Sequence, residues 1–270
     1  MQQATDFLDE SMALNGLLEP LAEDDFDTPT QFKGWTINNI MRHLHVWNIA
    51  VDLSLLDEAA FGAFVSAMMA GVRGGKLPEF EASYLDGLSG YALRKAWMER
   101  AEATAAAFAA ADPKLRLKWV GPEMSALSSI TARLMETWAH AQAIYDALGV
   151  ERRDTDRIGN IVRLGVITWG FTWKNRRMEP PGPMPQLRLL APSGAIWEYG
   201  EPSDSGMISG NATAFCQVVT QCRHVADTSL EVTGEVAHQW MSVAQCFAGP
   251  PQDPPAKGTR RSAAQTFERQ

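Results

Sequence analysis

The sequence predicts two domains of different class: an all-α helix bundle over residues 1–150 and a small α+β domain over residues 181–250. Three observations predict this. Apolar residues recur at helical spacing as far as residue 177. The proline cluster at 179–185 then breaks the pattern, as a domain boundary does. Beyond it, short apolar blocks separated by turn residues take over, which is the pattern of strands.

Taken in order, residues 4–22 form the first expected helix, with Phe7, Met12, Leu14, Leu17, Leu18 and Leu21 on one stripe. Charges, Pro29 and Gly34 end it. Thr36 is suited to cap a second helix, in which Ile37, Ile40, Met41, Leu44 and Trp47 follow at helical spacing. Residues 58–85 are long for a connection and read as a short helix plus loop, with Phe61, Phe64, Val65, Met68 and Met69 as core or pocket wall. Residues 86–111 give a third helix, closed by Asp112-Pro113. The fourth runs from Pro122, a first-turn residue, to Leu148, with Gly149 as its C-terminal stop. Residues 151–180 read as a connecting helix and a Pro-rich linker. In the second domain, segments 186–192 and 195–201 are strand-like, residues 207–225 are a strand or loop entering a helix, residues 229–234 are a short strand, and residues 235–247 are a last helix. The Pro-rich, polar residues 251–270 are expected to be poorly ordered.

Bulk properties narrow the function. A formal net charge of −8 argues against nucleic acid as a partner. There is no apolar run long enough for a membrane span and no secretory signal, so the expected location is cytoplasmic. Cys216, Cys222 and Cys246 lack metal-site or redox spacing and read as reduced, buried thiols. Gly71 to Gly75 lack the strand-turn-helix context of a phosphate loop.

The chemistry-bearing stretch is Arg133 to His140. Glu136 and His140, four residues apart on one helix, face the same way and can hold one side of a divalent metal. His43 can supply a third ligand, leaving an open coordination position as in catalytic zinc sites. His43 lies seven residues after Thr36, and His140 eight before Leu148, so antiparallel packing of the two helices would bring them level. His45, two residues on, cannot aim at the same point, and either histidine can instead be a hydrogen-bonded residue without metal. Arg133, on the Glu136 face, can hold a substrate carboxylate or orient Glu136 by an ion pair.

Pro29-Thr30, Gly34-Trp35-Thr36, His43-Leu44 and Glu136-x-x-x-His140 together resemble the DinB-like metal-binding bundles, and among them the mycothiol-dependent maleylpyruvate isomerase-type family. The resemblance implies a four-helix bundle with His43, Glu136 and His140 as metal ligands, zinc as the metal and a mycothiol-like thiol as cofactor. It also implies that a sterol-carrier-like α+β domain closes over the site. Arg223, at the end of a helix there, matches the family's arginine, although Gln221-Cys222 stand where a small residue and glycine are usual. The expected function is a thiol-dependent isomerase or S-transferase, monomeric or homodimeric, acting on a small electrophilic acid or enoyl substrate. Two other readings stay open. One is a hydrolase or hydratase using metal-bound water. The other is a non-enzymatic binder of a lipid or acyl group, suggested by Trp169, Phe171, Trp173 and Trp197, which equally suit core packing.

Overall fold

The structure, a computed structural model, describes residues 1–73 and 76–260. The chain divides into two compact units, the first Met1–Ala147 and the second beginning at Leu148.

The first unit contains α1 (Gln2–Leu18), α2 (Ile37–Leu56), α3 (Glu58–Val72), α4 (Leu77–Tyr84), α5 (Gly90–Ala110), the two-residue strands β1 (Arg116–Leu117) and β2 (Met124–Ser125), and α6 (Ala126–Leu148). Its main core draws on all four long helices: Ala4 and Phe7 of α1, Val51 of α2, Ala101 and Phe108 of α5, and Ile130 and Leu134 of α6. Burying each of the larger side chains contributes about 1.5–3 kcal/mol. Thr36 caps α2 as expected. Its hydroxyl accepts from the Asn39 amide while the Asn39 side chain accepts from the Thr36 amide, satisfying two of the helix's free donors. Helices α2 and α6 run antiparallel, because His43 meets Glu136 and His140 whereas the later Asn48 meets the earlier Arg133.

Three expectations change here. The 58–85 connection holds two helices rather than one. Asp57 caps α3 through the Ala60 amide, and Pro78 sits in the first turn of α4. Helix α5 begins at Gly90 because Asp86 and Gly87, at φ of 50° and 75°, turn the chain through left-handed conformations. Helix α6 begins at Ala126 rather than Pro122, since the preceding residues pair as β1 and β2. Phe61, Phe64 and Met68 pack with Val46 and Ala50 as core. Of the glycines from 71 to 75, Gly74 and Gly75 lie outside the described residues.

The second unit contains α7 (Gly159–Ile167), α8 (Trp169–Asn175), β3 (Gln186–Leu190), β4 (Ile196–Tyr199), β5 (Met207–Asn211), α9 (Ala212–Val219), β6 (Glu231–Thr233) and α10 (Glu235–Val243). The expected single helix over 151–177 is broken at Thr168. Its hydroxyl bonds back to the Leu164 and Gly165 carbonyls and its backbone leaves helical geometry. These helices, expected as a connector, belong to the second unit: α7 packs on α9, with Gly165 allowing Phe215 and Val219 to approach. The four-stranded sheet has the order β4-β3-β5-β6, with β3 and β5 parallel and both outer pairs antiparallel. Leu187, Leu189, Ile208, Phe215, Trp173 and Trp240 are buried. Trp169 packs edge-on against both Trp173 and Trp240, so these aromatics serve as core. The three cysteines are buried free thiols.

Residues 251–260, expected to be poorly ordered, are tied down. Arg176 pairs with Asp253, the Gly258 amide donates to Asp227, and Arg260 donates to the Gln221 carbonyl. Residues 261–270, the rest of that expected tail, lie outside the described residues. No helix among the described residues is long and apolar enough to cross a membrane.

Candidate metal centre

The loop before α2 packs two aromatic rings against the site. Thr30 and Trp35 are linked through the Thr30 amide and hydroxyl, both donating to the Trp35 carbonyl at 2.8 Å. Pro29 and Thr36 form a bridge across the loop. Lys33 and Gly34, at φ of 55° and 70°, turn the chain between them. The result presents Phe32 and Trp35 to the ring of His140: Phe32 meets it edge-on at 4.9 Å and Trp35 lies parallel at 6.1 Å. Trp35 also meets His43 at 5.5 Å.

Helices α2 and α6 bring together the three residues singled out by spacing. His43 Nε2 lies 3.9 Å from Glu136 Oε2, and His140 Nε2 lies 3.3 Å from the same oxygen. One donor atom from each of the three falls within 4.8 Å of the others. A zinc ion with bonds of about 2.0–2.1 Å and tetrahedral angles keeps its donors roughly 3.4 Å apart. Donor spacings of 3.3 and 3.9 Å bracket that value, so the cluster is compatible with a divalent ion. The donor set fits as well: two imidazoles and one carboxylate on adjoining helices, with a position left for a further ligand.

The surroundings perturb these groups strongly. Burial alone would depress His43, but the Glu81 charge and its hydrogen bond, together with the Glu136 carboxylate 3.9 Å away, outweigh it and push its pKa up to about 9. Burial works against ionisation of Glu136, yet the contact with His140 at 3.3 Å, the nearby His43 at 3.9 Å and the charges of both rings hold its carboxyl far below the usual carboxylate range. His140 is lowered, chiefly by burial, with the Glu136 hydrogen bond opposing and the His43 charge adding to the fall.

Glu81 of α4 is a component that sequence reasoning missed. Its side chain is fully buried, and its Oε1 accepts from His43 Nδ1 at 2.7 Å and from Trp47 Nε1 at 3.1 Å. Its position inside an ordinary run with Glu79 gives no spacing signal in the sequence. The one available hint is that Phe80 and Tyr84, four apart, mark α4 as a packed helix.

The two arginines lie in different settings. Arg133 is buried in the α2–α6 seam, donating through Nε to Asn48 Oδ1 and through a terminal nitrogen to the Leu44 carbonyl. Burial pushes its pKa down to about 10, against the charges of Glu136, Asp52 and Glu81, so it stays cationic at neutral pH. Arg223 lies in the second unit, and α9 ends at Val219, so it is not on a helix as expected. Residues 220–223 form a terminating turn in which Gln221 takes a φ of 56°, and the amides of Cys222 and Arg223 both bond to the Gln217 carbonyl. A terminal nitrogen of Arg223 donates to the Cys222 carbonyl. His45 is buried apart from the three donors, and burial and Arg100 lower it to about 4.

Comparison with known proteins follows this geometry. Residues 7–145 match the family model described as the mycothiol maleylpyruvate isomerase N-terminal domain. Two relatives from strains of Mycobacterium tuberculosis, both described as uncharacterized proteins, are 38% identical over 245 residues, covering 90% of this chain and 93% of theirs. Two crystal structures share the fold at 16% identity, covering 93% of this chain and 95% of each of theirs. They are a histidine-to-alanine mutant of the mycothiol-dependent maleylpyruvate isomerase, at a TM-score of 0.55, and that isomerase itself, at 0.53.

Proposed function

Because the chain belongs to the mycothiol maleylpyruvate isomerase N-terminal domain family, we propose that it is a metal-dependent cytoplasmic enzyme. It would use a mycothiol-like thiol to isomerise, or to transfer sulfur to, a small electrophilic acid or enoyl substrate. The observation that carries this reading is the convergence of His43, Glu136 and His140 on one point with donor spacings of 3.3 and 3.9 Å. The first unit is then a DinB-like four-helix bundle, and the second a sterol-carrier-like domain.

His43, His140 and Glu136 would hold the ion, zinc being well suited to two imidazoles and a carboxylate. When bound, the ion supplies positive charge that favours the thiolate form of an incoming thiol at neutral pH. Glu136 is kept ionised by its two histidine neighbours and so offers the ion a full negative charge. Phe32 and Trp35 wall His140 with apolar surface and limit water there. Arg133 holds the α2–α6 seam through Asn48 and the Leu44 carbonyl, and its charge favours ionised Glu136, which makes it a positioning residue in this reading. Arg223 is the candidate for binding the substrate carboxylate or the enolate that develops from it. A bound thiol would supply reversible addition to the electrophilic carbon, by which the double bond could change geometry, while Arg223 would hold the substrate's carboxylate. Addition retained rather than reversed, with a proton from solvent taken up at the adjacent carbon, would give the thioether product instead.

Elemental analysis of wild type beside His43→Ala and Glu136→Ala tests the centre. About one divalent ion per chain in wild type and none in either variant is expected. Metal that survives both substitutions would overturn the reading. Conversion of an unsaturated acid is expected to require added thiol, and conversion without thiol would assign the nucleophile to water instead.

A further inference from the structure

We propose that Glu81 is a positioning residue of the centre: it fixes the ring of His43 with Nδ1–H pointing at its carboxylate, so that Nε2 faces Glu136 and His140. The proposal rests on the reading of these three residues as metal ligands. No motif marks Glu81, and it belongs to neither of the two helices that carry the ligands.

Four observations carry the inference. The first is burial. Glu81 is fully buried, and a carboxylate taken out of water is strongly disfavoured unless paired. An apolar residue would fill this place at lower cost if packing were its only purpose. The second is where its bonds go. Both donors to Oε1 come from α2, and they are His43 Nδ1 and Trp47 Nε1, one helical turn apart. The indole holds the carboxylate and the carboxylate holds the imidazole. The third is tautomer. A carboxylate accepts only, so the shared proton sits on Nδ1 and the lone pair of the neutral ring is on Nε2, the atom on the Glu136 side. A carboxylate behind a ligating histidine also raises the basicity of the ring.

The fourth is how α4 is fixed in place. Gly71 of α3 lets Phe80 approach to a distance that a side chain at 71 would block, since an added Cβ would lie 2.6 Å from the Phe80 ring. Phe64 packs against Phe80 and Tyr84, the residues on either side of Glu81 along the same face of α4. After α4, Arg42 of α2 donates to the Leu88 carbonyl at 2.7 Å and to the Gly87 carbonyl at 3.3 Å. Helix α4 is thus held along its length by α3 and after its end by Arg42, and what it delivers to the site is one carboxylate.

The test compares zinc affinity, by competition with a chromogenic chelator, in wild type, His43→Ala, Glu81→Gln and Glu81→Ala. Thermal unfolding of each metal-free protein checks folding, and histidine 15N spectra of the zinc-loaded proteins read the His43 tautomer. His43→Ala is expected to lose the site. Glu81→Ala is expected to weaken zinc binding by about 10–100-fold, the range for loss of an outer partner of a ligand. Glu81→Gln keeps an acceptor for Nδ1–H but loses the charge. It is expected to retain the Nδ1–H tautomer and to lie near the tenfold end of that range. Wild-type zinc affinity in either folded Glu81 variant, with His43→Ala still defective, overturns the role of Glu81 alone. Zinc refused by the wild type as well overturns the metal centre and this inference together.

Discussion

The two histidines of the centre are held in opposite ways. His43 is fixed by charge: its Nδ1 is 2.7 Å from a fully buried carboxylate, and its affinity for a proton is raised. His140 has no carboxylate behind it: Phe32 and Trp35 lie against its ring, its Nε2 is 3.3 Å from Glu136, its Nδ1 has no hydrogen-bond partner among the described residues, and burial lowers its affinity for a proton. An imidazole can therefore be aimed either by a hydrogen bond behind it or by aromatic walls beside it. The first method also makes the ring more basic, and the second keeps it neutral. A site that uses both has one imidazole on each side of neutrality.

The largest expected effect of this contrast is on the pH dependence of stability in chelator-treated protein. His43 is raised from 6.5 to about 9, so the stability it contributes is complete below pH 6.5 and is lost as pH rises to about 9. His140 is lowered, so its effect has the other sign: stability is present above pH 6.5 and is lost as pH falls below that value. Melting temperatures across pH 4 to 10 should show His43→Ala flattening the alkaline limb and His140→Ala flattening the acid limb. If both variants flatten the same limb, the two rings are not held differently. Zinc should reverse the alkaline trend, because ligation requires both rings to be deprotonated.

A smaller effect should come from the aromatic side. Trp35→Ala removes the ring beside both histidines, and Trp35 is only partly buried, so the loss should be about 2 kcal/mol, less than for a core tryptophan. Chemical denaturation measures it. The variant should also mobilise His140 more than His43, because His43 keeps its bond to Glu81. Equal broadening of the two rings in histidine NMR spectra would mean that Trp35 supports both alike.

Much of this site was legible in the sequence, and the limits have physical causes. The Thr36 cap, the helical period and the four-residue spacing of Glu136 and His140 are local, and local rules read them. The meeting of His43 with them needed one tertiary assumption, antiparallel packing, which the pairing of Asn48 with Arg133 bears out. Glu81 was not legible, because a buried carboxylate has the same letter as a solvated one and its partners lie 34 and 38 residues earlier. The β1–β2 pair was missed because two-residue strands leave no period to detect. The break at Thr168 was missed because a threonine hydroxyl turning back on its own helix resembles any helical threonine. In the second unit, the turn residues between segments 186–192 and 195–201 marked the β3–β4 turn, whereas the end of α9 fell four residues early because Gln221 occupies a left-handed position usually signalled by glycine.

The smallest effect concerns the loop that carries the aromatic walls. Gly34 has a φ of 70°, and a methyl group added there would meet nothing within 4 Å. Gly34→Ala therefore acts on the backbone alone, at a cost of about 1 kcal/mol for a left-handed alanine. Lys33 already occupies a left-handed position next to it, so the loop has little freedom to transfer the strain. Relief would come from shifting Phe32 and Trp35, the two rings on His140, while Glu81 and His43, held from α4, stay in place. The variant should melt a few degrees lower and perturb the resonances of His140, which faces both rings, more than those of His43, which meets only Trp35 of the two and keeps its bond to Glu81. An equal perturbation of both histidines would show that the loop and α4 act as one support, and that the two ways of holding an imidazole are coupled here.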